Sequence, residues 1–469
     1  MKPVLSLALS LSFLLLSSVP VLGAYPWPLL PDANFLWQNS PNSTNREGNL
    51  WDMAGSMAVN DGRVFVVGES ETTTGSGAFT VKTYDSSNGS LLWESYYDRE
   101  GAGWDSATDV VVDGKRVFVS GYTTTVAGDT AFTVRAYNTQ NGKVLWQDNY
   151  DREGDGWDSA WGMTVHDNKV FSVGQTTSTA GGSAFAVRAY NAKNGALLWE
   201  DNYDREGSIW DAAYRAVAKD NRLFVVGQAG ATAGGNSFVV RAYDTSNGAL
   251  LWQDNYDREG DLGDRAFDVV VEGSKVFVVG QTETAAGGGA LTVRAYDASN
   301  GALLWQDNYD REGALADVGW RADVKDGKLF VVGDSETAAG GSAYAIRAYN
   351  TSNGNLLWKN DYDCEGSFQD EALNVAVVGD AVYTTGTTET ANGNALTVRA
   401  YSASNGNLLY EDYQTPEASK QENWAIGIAI EEDEDTGDKV FVSGTTETTA
   451  GGAGFAVRAY KAVAPPPPA

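Results

Sequence analysis

Apolar and polar positions alternate along this chain in short runs, and the runs recur in sets of four. Between Asp264 and Asp310 the pattern is complete. Phe267 to Val271 is apolar, and Glu272-Gly273-Ser274 turns the chain. Lys275 to Thr282 forms a second run, and Ala285 to Gly289 a loop. Ala290 to Asp297 alternates as a third, Ser299-Asn300-Gly301 turns again, and Ala302 to Tyr309 is the fourth. Val, Phe, Thr and Tyr fill the runs while Gly, Asn and Ser separate them, which predicts β-strands joined by tight turns. Helical spacing of apolar residues is found nowhere in the unit.

The unit repeats. Trp93, Trp146, Trp199, Trp252, Trp305 and Trp358 each end a Leu-Leu-Trp or Val-Leu-Trp run, about 53 residues apart, and Tyr410 continues the ladder one residue early. A second ladder, Ala-Phe-Thr-Val-Lys-Thr-Tyr at 78–84, recurs down to 454–460. Four antiparallel strands per unit, named A to D from the axis outward, describe a propeller blade. Strands A, B and C each occur eight times, but nothing after Tyr460 can serve as a D strand. The unclaimed run Asn34-Phe35-Leu36-Trp37-Gln38 supplies it, which leaves no open sheet edge. The prediction is all-β: an eight-bladed β-propeller over residues 25–463, closed by an N-terminal strand that completes the last blade. Glu431 to Asp435 lengthens the A–B turn of the eighth repeat as a solvated acidic loop.

The segment Ala295-Tyr296-Asp297-Ala298-Ser299-Asn300-Gly301-Ala302-Leu303-Leu304-Trp305 resembles the repeat of PQQ-binding-like propellers, roughly Ala-x-Asp-x-x-Thr-Gly-x-x-x-Trp, with Asn or Gln in place of Thr. The match recurs in nearly every blade. It implies that each Trp packs between neighbouring blades. An Asp-x-Ala before strand A and a Gly-x-Thr after strand B also look like the SBBP class of bacterial propeller repeats. Both resemblances specify a fold, and a propeller fold serves many functions.

Residues 1–24 read as a secretory signal peptide: Lys2, an apolar core from Val4 to Leu16, then small residues with cleavage expected after Gly23 or Ala24. The exit region has no cysteine, so a lipid anchor is not expected, and the location expected is secreted or periplasmic. No later stretch is apolar enough for membrane insertion. Residues 464–469, Ala-Pro-Pro-Pro-Pro-Ala, form a stiff Pro-rich tail. Acidic residues number 62 against 33 basic, a net charge of −29, which argues against nucleic acid and anionic membranes as partners.

Catalytic sets are missing. Quinoprotein dehydrogenases of the resembling superfamily use a vicinal cysteine pair, a calcium ion and an Asp base. With Cys364 alone the pair cannot form, nor can an internal disulfide, so PQQ is not expected as a cofactor. The single histidine, His166, precedes Asp167-Asn168-Lys169 at an A–B turn, a poor place for a triad. Histidine and cysteine metal clusters are excluded by count. A glycosidase needs only two carboxylates, but no pair stands apart from the repeat.

The D–A and B–C loops share one face and are longer than the turns opposite, so that face is the better binding surface. Asp52, Asp105, Asp158, Asp211, Asp264, Asp317 and Asp370 each precede strand A there. Each carboxylate is expected to accept backbone N–H groups of its own loop, and the alternative is a ring of carboxylates that attracts calcium. One residue earlier stand Trp51, Trp104, Trp157 and Trp210, replaced in later blades by Gly263, Ala316, Gln369 and Glu422. Such a row stacks on sugars or partner side chains, or folds onto its own loops. Period two along strand A places Asp105, Ala107, Asp109 and Val111 on one side, expected to face the axis. The column through Asp109 then reads Ser56, Asp109, Gly162, Arg215, Asp268, Arg321, Asn374 and Gly427. Asp109, Arg215, Asp268 and Arg321 would meet there as an ion network or as a polar ligand site.

The function expected is a non-catalytic binding or scaffold propeller that engages a protein or a glycan through the D–A/B–C face. The alternatives are an enzyme, carbohydrate-active or a degenerate quinoprotein, with a site at the axial channel, and a structural part of an envelope or matrix.

Overall fold

The computed structural model describes residues 34–39 and 51–463, apart from loop positions 74, 100–102, 153–155, 179–181, 206–209, 231–234, 259–262, 286, 312–315, 337–340, 363–369, 391–392, 415–420, 434, 436 and 448–451. The leader, the Pro-rich tail, Cys364 and Gln369 lie outside the described residues. Eight four-stranded antiparallel blades form a β-propeller. Blade two is typical: Ser106–Asp113, Arg116–Thr124, Thr130–Asn138 and Val144–Tyr150, hydrogen-bonded in that order. Blade eight takes Gln421–Glu431, Lys439–Glu447 and Ala453–Lys461 from the end of the chain and Phe35–Asn39 from its start. Trp37 pairs with Ala459 and Gln38 with Arg458, so the first strand closes the ring as the strand count requires.

The hydrophobic core lies between blades, not within one. Phe65, Val67, Phe79 and Trp93 of blade one pack against Ala107, Val110 and Tyr137 of blade two, and each junction repeats this. The ladder tryptophans are the wedges. Trp252 donates from Nε1 to the backbone O of Ala298 in the next blade, 3.1 Å away, and stacks on Tyr296 with centroids 5.9 Å apart. Gly301 turns beneath it at φ +73, where a Cβ would come within 2.6 Å of the indole. Only glycine combines that backbone conformation with that contact. Trp37 makes the same bond to Ser86, so the closing strand also wedges blade eight onto blade one.

A second inter-blade device is polar. Arg294 in blade five lies 3.7 Å over the ring of Tyr256 in blade four. Its Nε donates to the Tyr296 hydroxyl, 2.6 Å, and its Nη2 to Asp254 Oδ2, 3.0 Å. A buried guanidinium is tolerable when an aromatic face and a carboxylate both compensate it. In blade one the place is taken by Lys82, which bonds Asp52 Oδ2 at 3.3 Å.

Strand A departs from the expected alternation. Its pairing with strand B slips between Ala107 and Asp109, and the same bulge recurs in all eight blades. Ala107, Val110 and Val112 therefore pack toward blade one, while Val111 packs toward blade three. Ala107 and Asp109 do not share a side as period two predicts, because the extra residue at position 108 turns the strand over.

Candidate functional site

The strand-opening aspartates clamp loops. Asp105 Oδ2 accepts the N–H of Arg99 and Oδ1 that of Thr124, both at 2.6 Å. Asp158 holds Arg152 and Thr177, Asp211 holds Arg205 and Gly230, and Asp264 holds Arg258 and Glu283. Asp317 takes the N–H of Arg311 and the Ser335 hydroxyl, Asp370 the N–H of Glu389, and Asp52 the Lys82 ammonium. Asp105, Asp158, Asp211, Asp264 and Asp317 thus each tie a D–A loop to the end of strand B. Burial pushes the carboxyls of Asp105, Asp211 and Asp264 up to about 6, against the pull of those N–H bonds. No group of three or more His, Cys, Asp or Glu converges as metal donors among the described residues.

The tryptophans beside them have tied backbones and rings exposed to different degrees. Trp104, Trp157 and Trp210 each form a parallel bridge to strand C of the preceding blade, at Gly77, Thr130 and Ser183, and Trp51 bridges Ala453. Trp104 lies against Gly77, where a Cβ would come within 2.7 Å of its ring. Exposure rises from 37% at Trp51 and 47% at Trp104 to 68% at Trp157 and 62% at Trp210. The last two are among the most exposed large apolar side chains of the described residues.

Along the axis, Arg215 Nη1 lies 2.9 Å from Asp109 Oδ2. Asp109 also accepts the Ser56 hydroxyl and the N–H groups of Val110 and Met163. Asp268 accepts the N–H of Ala322 in the next blade, and burial raises its carboxyl while Arg321 and Arg215 oppose the shift. Asp323 does the same with Val377.

The bulge column carries a feature that period two hides. Position 108 and its equivalents are Gly55, Thr108, Trp161, Tyr214, Phe267, Trp320, Leu373 and Ile426. Four consecutive blades thus offer aromatics, and they stack across the blades. Centroid separations are 5.4 Å for Trp161–Tyr214, 5.7 Å for Tyr214–Phe267 and 4.7 Å for Phe267–Trp320. Trp320 donates from Nε1 to Asp334 Oδ1, 2.5 Å, and burial with Glu371 nearby pushes that carboxyl up to about 7. Reading every strand A column at the period of the repeat, rather than only the one through Asp109, exposes this arc.

His166 ends its strand before the left-handed pair Asp167 and Asn168, with Nε2 3.4 Å from Asp167 Oδ2. These residues, Val165 and Asp113 line a cavity of about 340 Å³ on the short-turn face.

Eight blades of one repeat, wedged by tryptophan and clamped by aspartate, define a PQQ-like propeller. The chain belongs to the family described as outer membrane protein assembly factor BamB, whose profile matches residues 31–234, 77–291 and 289–458. Among curated proteins it is 22% identical over 288 residues to the tetrathionate hydrolase of Acidithiobacillus ferrooxidans, covering 58% of this chain and 51% of that one. The chain thus spans about half the length of this relative. Among solved structures, the quinohemoprotein alcohol dehydrogenase of Comamonas testosteroni superposes with a TM-score of 0.58 at 13% identity, over 92% of this chain and 77% of the other. Chaetomium thermophilum Sqt1, bound to the N-terminus of a ribosomal protein, gives 0.56 at 13% identity over 88% and 97%. These two similarities carry the fold alone.

Proposed function

We propose that this chain is an extracytoplasmic, non-catalytic binding propeller that takes a protein partner on its D–A/B–C face. The observation that carries the reading is the row Trp51, Trp104, Trp157 and Trp210 on four consecutive blades, with the rings of Trp157 and Trp210 more than half exposed. Large aromatics held on a rigid backbone are the residues on which interface energy concentrates. Family membership supports the reading, as does a neighbour solved with a protein segment bound. The leader-like residues 1–24 support the location.

The test is crosslinking in the native envelope or secreted fraction, with purified wild type beside Trp157→Ala/Trp210→Ala. One partner held by wild type and lost by the double variant, at unchanged thermal midpoint, upholds the reading. A partner held equally by both variants overturns it, and retention on soluble glycans alone moves it from protein to glycan. A thermal-shift series with calcium, EDTA and PQQ accompanies it. No shift is expected, because the ring carboxylates are already bonded to their own loops.

A hydrolase reading is supported by the similarity to tetrathionate hydrolase. Consumption of tetrathionate by the purified chain, abolished by Asp268→Asn, would favour it over the binding reading.

A further inference from the structure

The outer strand of each blade breaks the alternation that keeps apolar side chains covered. Just after the C–D turn stand two apolar residues: Leu91-Leu92 in blade one, Val144-Leu145 in blade two and Leu-Leu in blades three to seven. Phe35-Leu36 supplies the pair for blade eight. All but Phe35 and Leu409 are exposed, by 37% to 46%. The cause is a bulge. Strand D slips by one residue against strand C at this point in every blade, so most of the pair stays outside the junction that buries the next residue, Trp or Tyr. Exposure does not explain the residue type. The position after that Trp or Tyr is also at the surface, and it is Gln, Glu or Lys in all eight blades.

Geometry and charge together say what covers the ring. The pairs follow the C–D turns and so encircle the short-turn face. A partner bound at one side reaches few of them, whereas a second copy stacked coaxially meets all eight. The exposed pairs amount to roughly 1,000 Å² of apolar surface per copy, against roughly 800 Å² per partner in a standard interface. The turns of this face hold nearly as many bases as acids, in a chain with a net charge of −29, so two copies repel least here.

The two signs are also segregated. The turns of blades two and three hold Lys115, Arg116, Lys143, Lys169 and Lys193 against Asp113 and Asp167. Lys115, Lys143 and Lys193 are exposed and enter no salt bridge among the described residues. Blade eight has Glu432, Asp433, Asp435 and Asp438 in its lengthened turn against Lys461, while Glu431 and Lys439 pair with each other. Glu432 meets Lys325 only at 4.0 Å and mostly in solvent. In a twofold dimer through one face, the partner's blades run in reverse order. Setting blade three on blade eight therefore sets two on one, four on seven and five on six. Blade one has Asp61 and Asp85 against Arg63, blade five Glu272 and Asp297 against Lys275, and blade six Lys325 and Lys328 against Asp326. Blade four is balanced, and Asp380 faces it from blade seven. Every pair of blades in this register is opposite in sign or neutral on one side.

We propose that this chain forms a twofold dimer through its short-turn face, with the lysines of blades two and three against the acidic turn of blade eight and the two leucine rims meeting around them. The D–A/B–C faces then point outward at opposite ends, so the dimer is bivalent for whatever that face holds. The interface stands apart from the tryptophan row, and neither reading depends on the other.

The test is sedimentation equilibrium of the mature chain over a concentration series, where a monomer–dimer equilibrium is expected. Lys115→Glu/Lys193→Glu should weaken the dimer about tenfold or more, because acid then faces acid. Glu432→Lys/Asp435→Lys should weaken it likewise. Combining all four substitutions reverses both sides of each contact and should bring the affinity back to within about tenfold of wild type, a rescue that damage to the fold would not give. Leu197→Thr/Leu198→Thr/Leu250→Thr/Leu251→Thr should also weaken the dimer at unchanged thermal midpoint, since threonine suits a strand. Trp157→Ala/Trp210→Ala should dimerise as wild type does. A monomer throughout the series, a dimer indifferent to either charge reversal, or a combined variant that stays monomeric would each overturn the proposal. So would flotation of a monomer with phosphatidylcholine vesicles that the leucine variant loses, which would assign the rim to a lipid surface.

Discussion

Arg215 reaches past blade three to Asp109, two blades back along the axis, and closes a 2.9 Å contact with it. Blade three has Gly162 in the intervening column, where a Cβ would come within 2.5 Å of the Tyr214 carbonyl and 3.2 Å of Arg215 Cα. A missing side chain in one repeat therefore permits an ion pair between two others.

Gly162→Ala forces that backbone apart and should cost about 1–3 kcal/mol. Asp109→Ala strands Arg215 and two backbone N–H groups, and should cost about 2–4 kcal/mol in a pair still partly wetted. Urea unfolding of each variant against wild type measures both.

The loop-clamping aspartates make stability depend on acid pH. Asp105, Asp211 and Asp264 have folded carboxyls raised to about 6, above the unfolded value near ~3.9. Between those values the folded state holds more protons than the unfolded one. Their contribution is therefore complete below the unfolded value and is lost as pH rises through about 6. The thermal midpoint should fall between about pH 4 and 6.5 in wild type, and Asp105→Asn should flatten part of that slope. An unchanged slope in the triple Asn variant would show that burial does not govern these carboxyls.

At the wedge, Gly301→Ala must place a methyl against Trp252 at positive φ. It should destabilise by more than about 2 kcal/mol. Trp252→Phe keeps much of the apolar bulk and loses the bond to Ala298, a cost of about 1–2 kcal/mol. The order of the two midpoints in a thermal scan is the check.

Removing residues 25–39 opens the last blade. Strand Ala453–Lys461 would then present an unpaired edge, and Trp37 would vacate its place against Ser86. The truncated chain should melt lower and self-associate with concentration. Light scattering and thermal unfolding at two concentrations test this, and a monomeric, equally stable product would contradict it.

Fold and closure were legible in the chain because a repeat writes the same local rules eight times. The Trp ladder, the Ser-Asn-Gly turns and the unclaimed strand at 34–38 are each readable without neighbours, and Phe35–Asn39 does close the ring. The Asp ring and the tryptophan row were legible as positions, because both follow the same period. What those positions do was decided only in three dimensions. The bulge at position 108 depends on how strand A pairs with strand B, and one inserted residue reverses which side chains face which blade. The arc of Trp161, Tyr214, Phe267 and Trp320 joins residues 53 apart in sequence into rings about 5 Å apart in space. Arg215 finds Asp109 over a glycine, while Arg321 makes no salt bridge among the described residues and stands within the field of Asp268 and Asp109. Local patterning determines which strands form, and the closing of eight blades around one axis determines which charges meet.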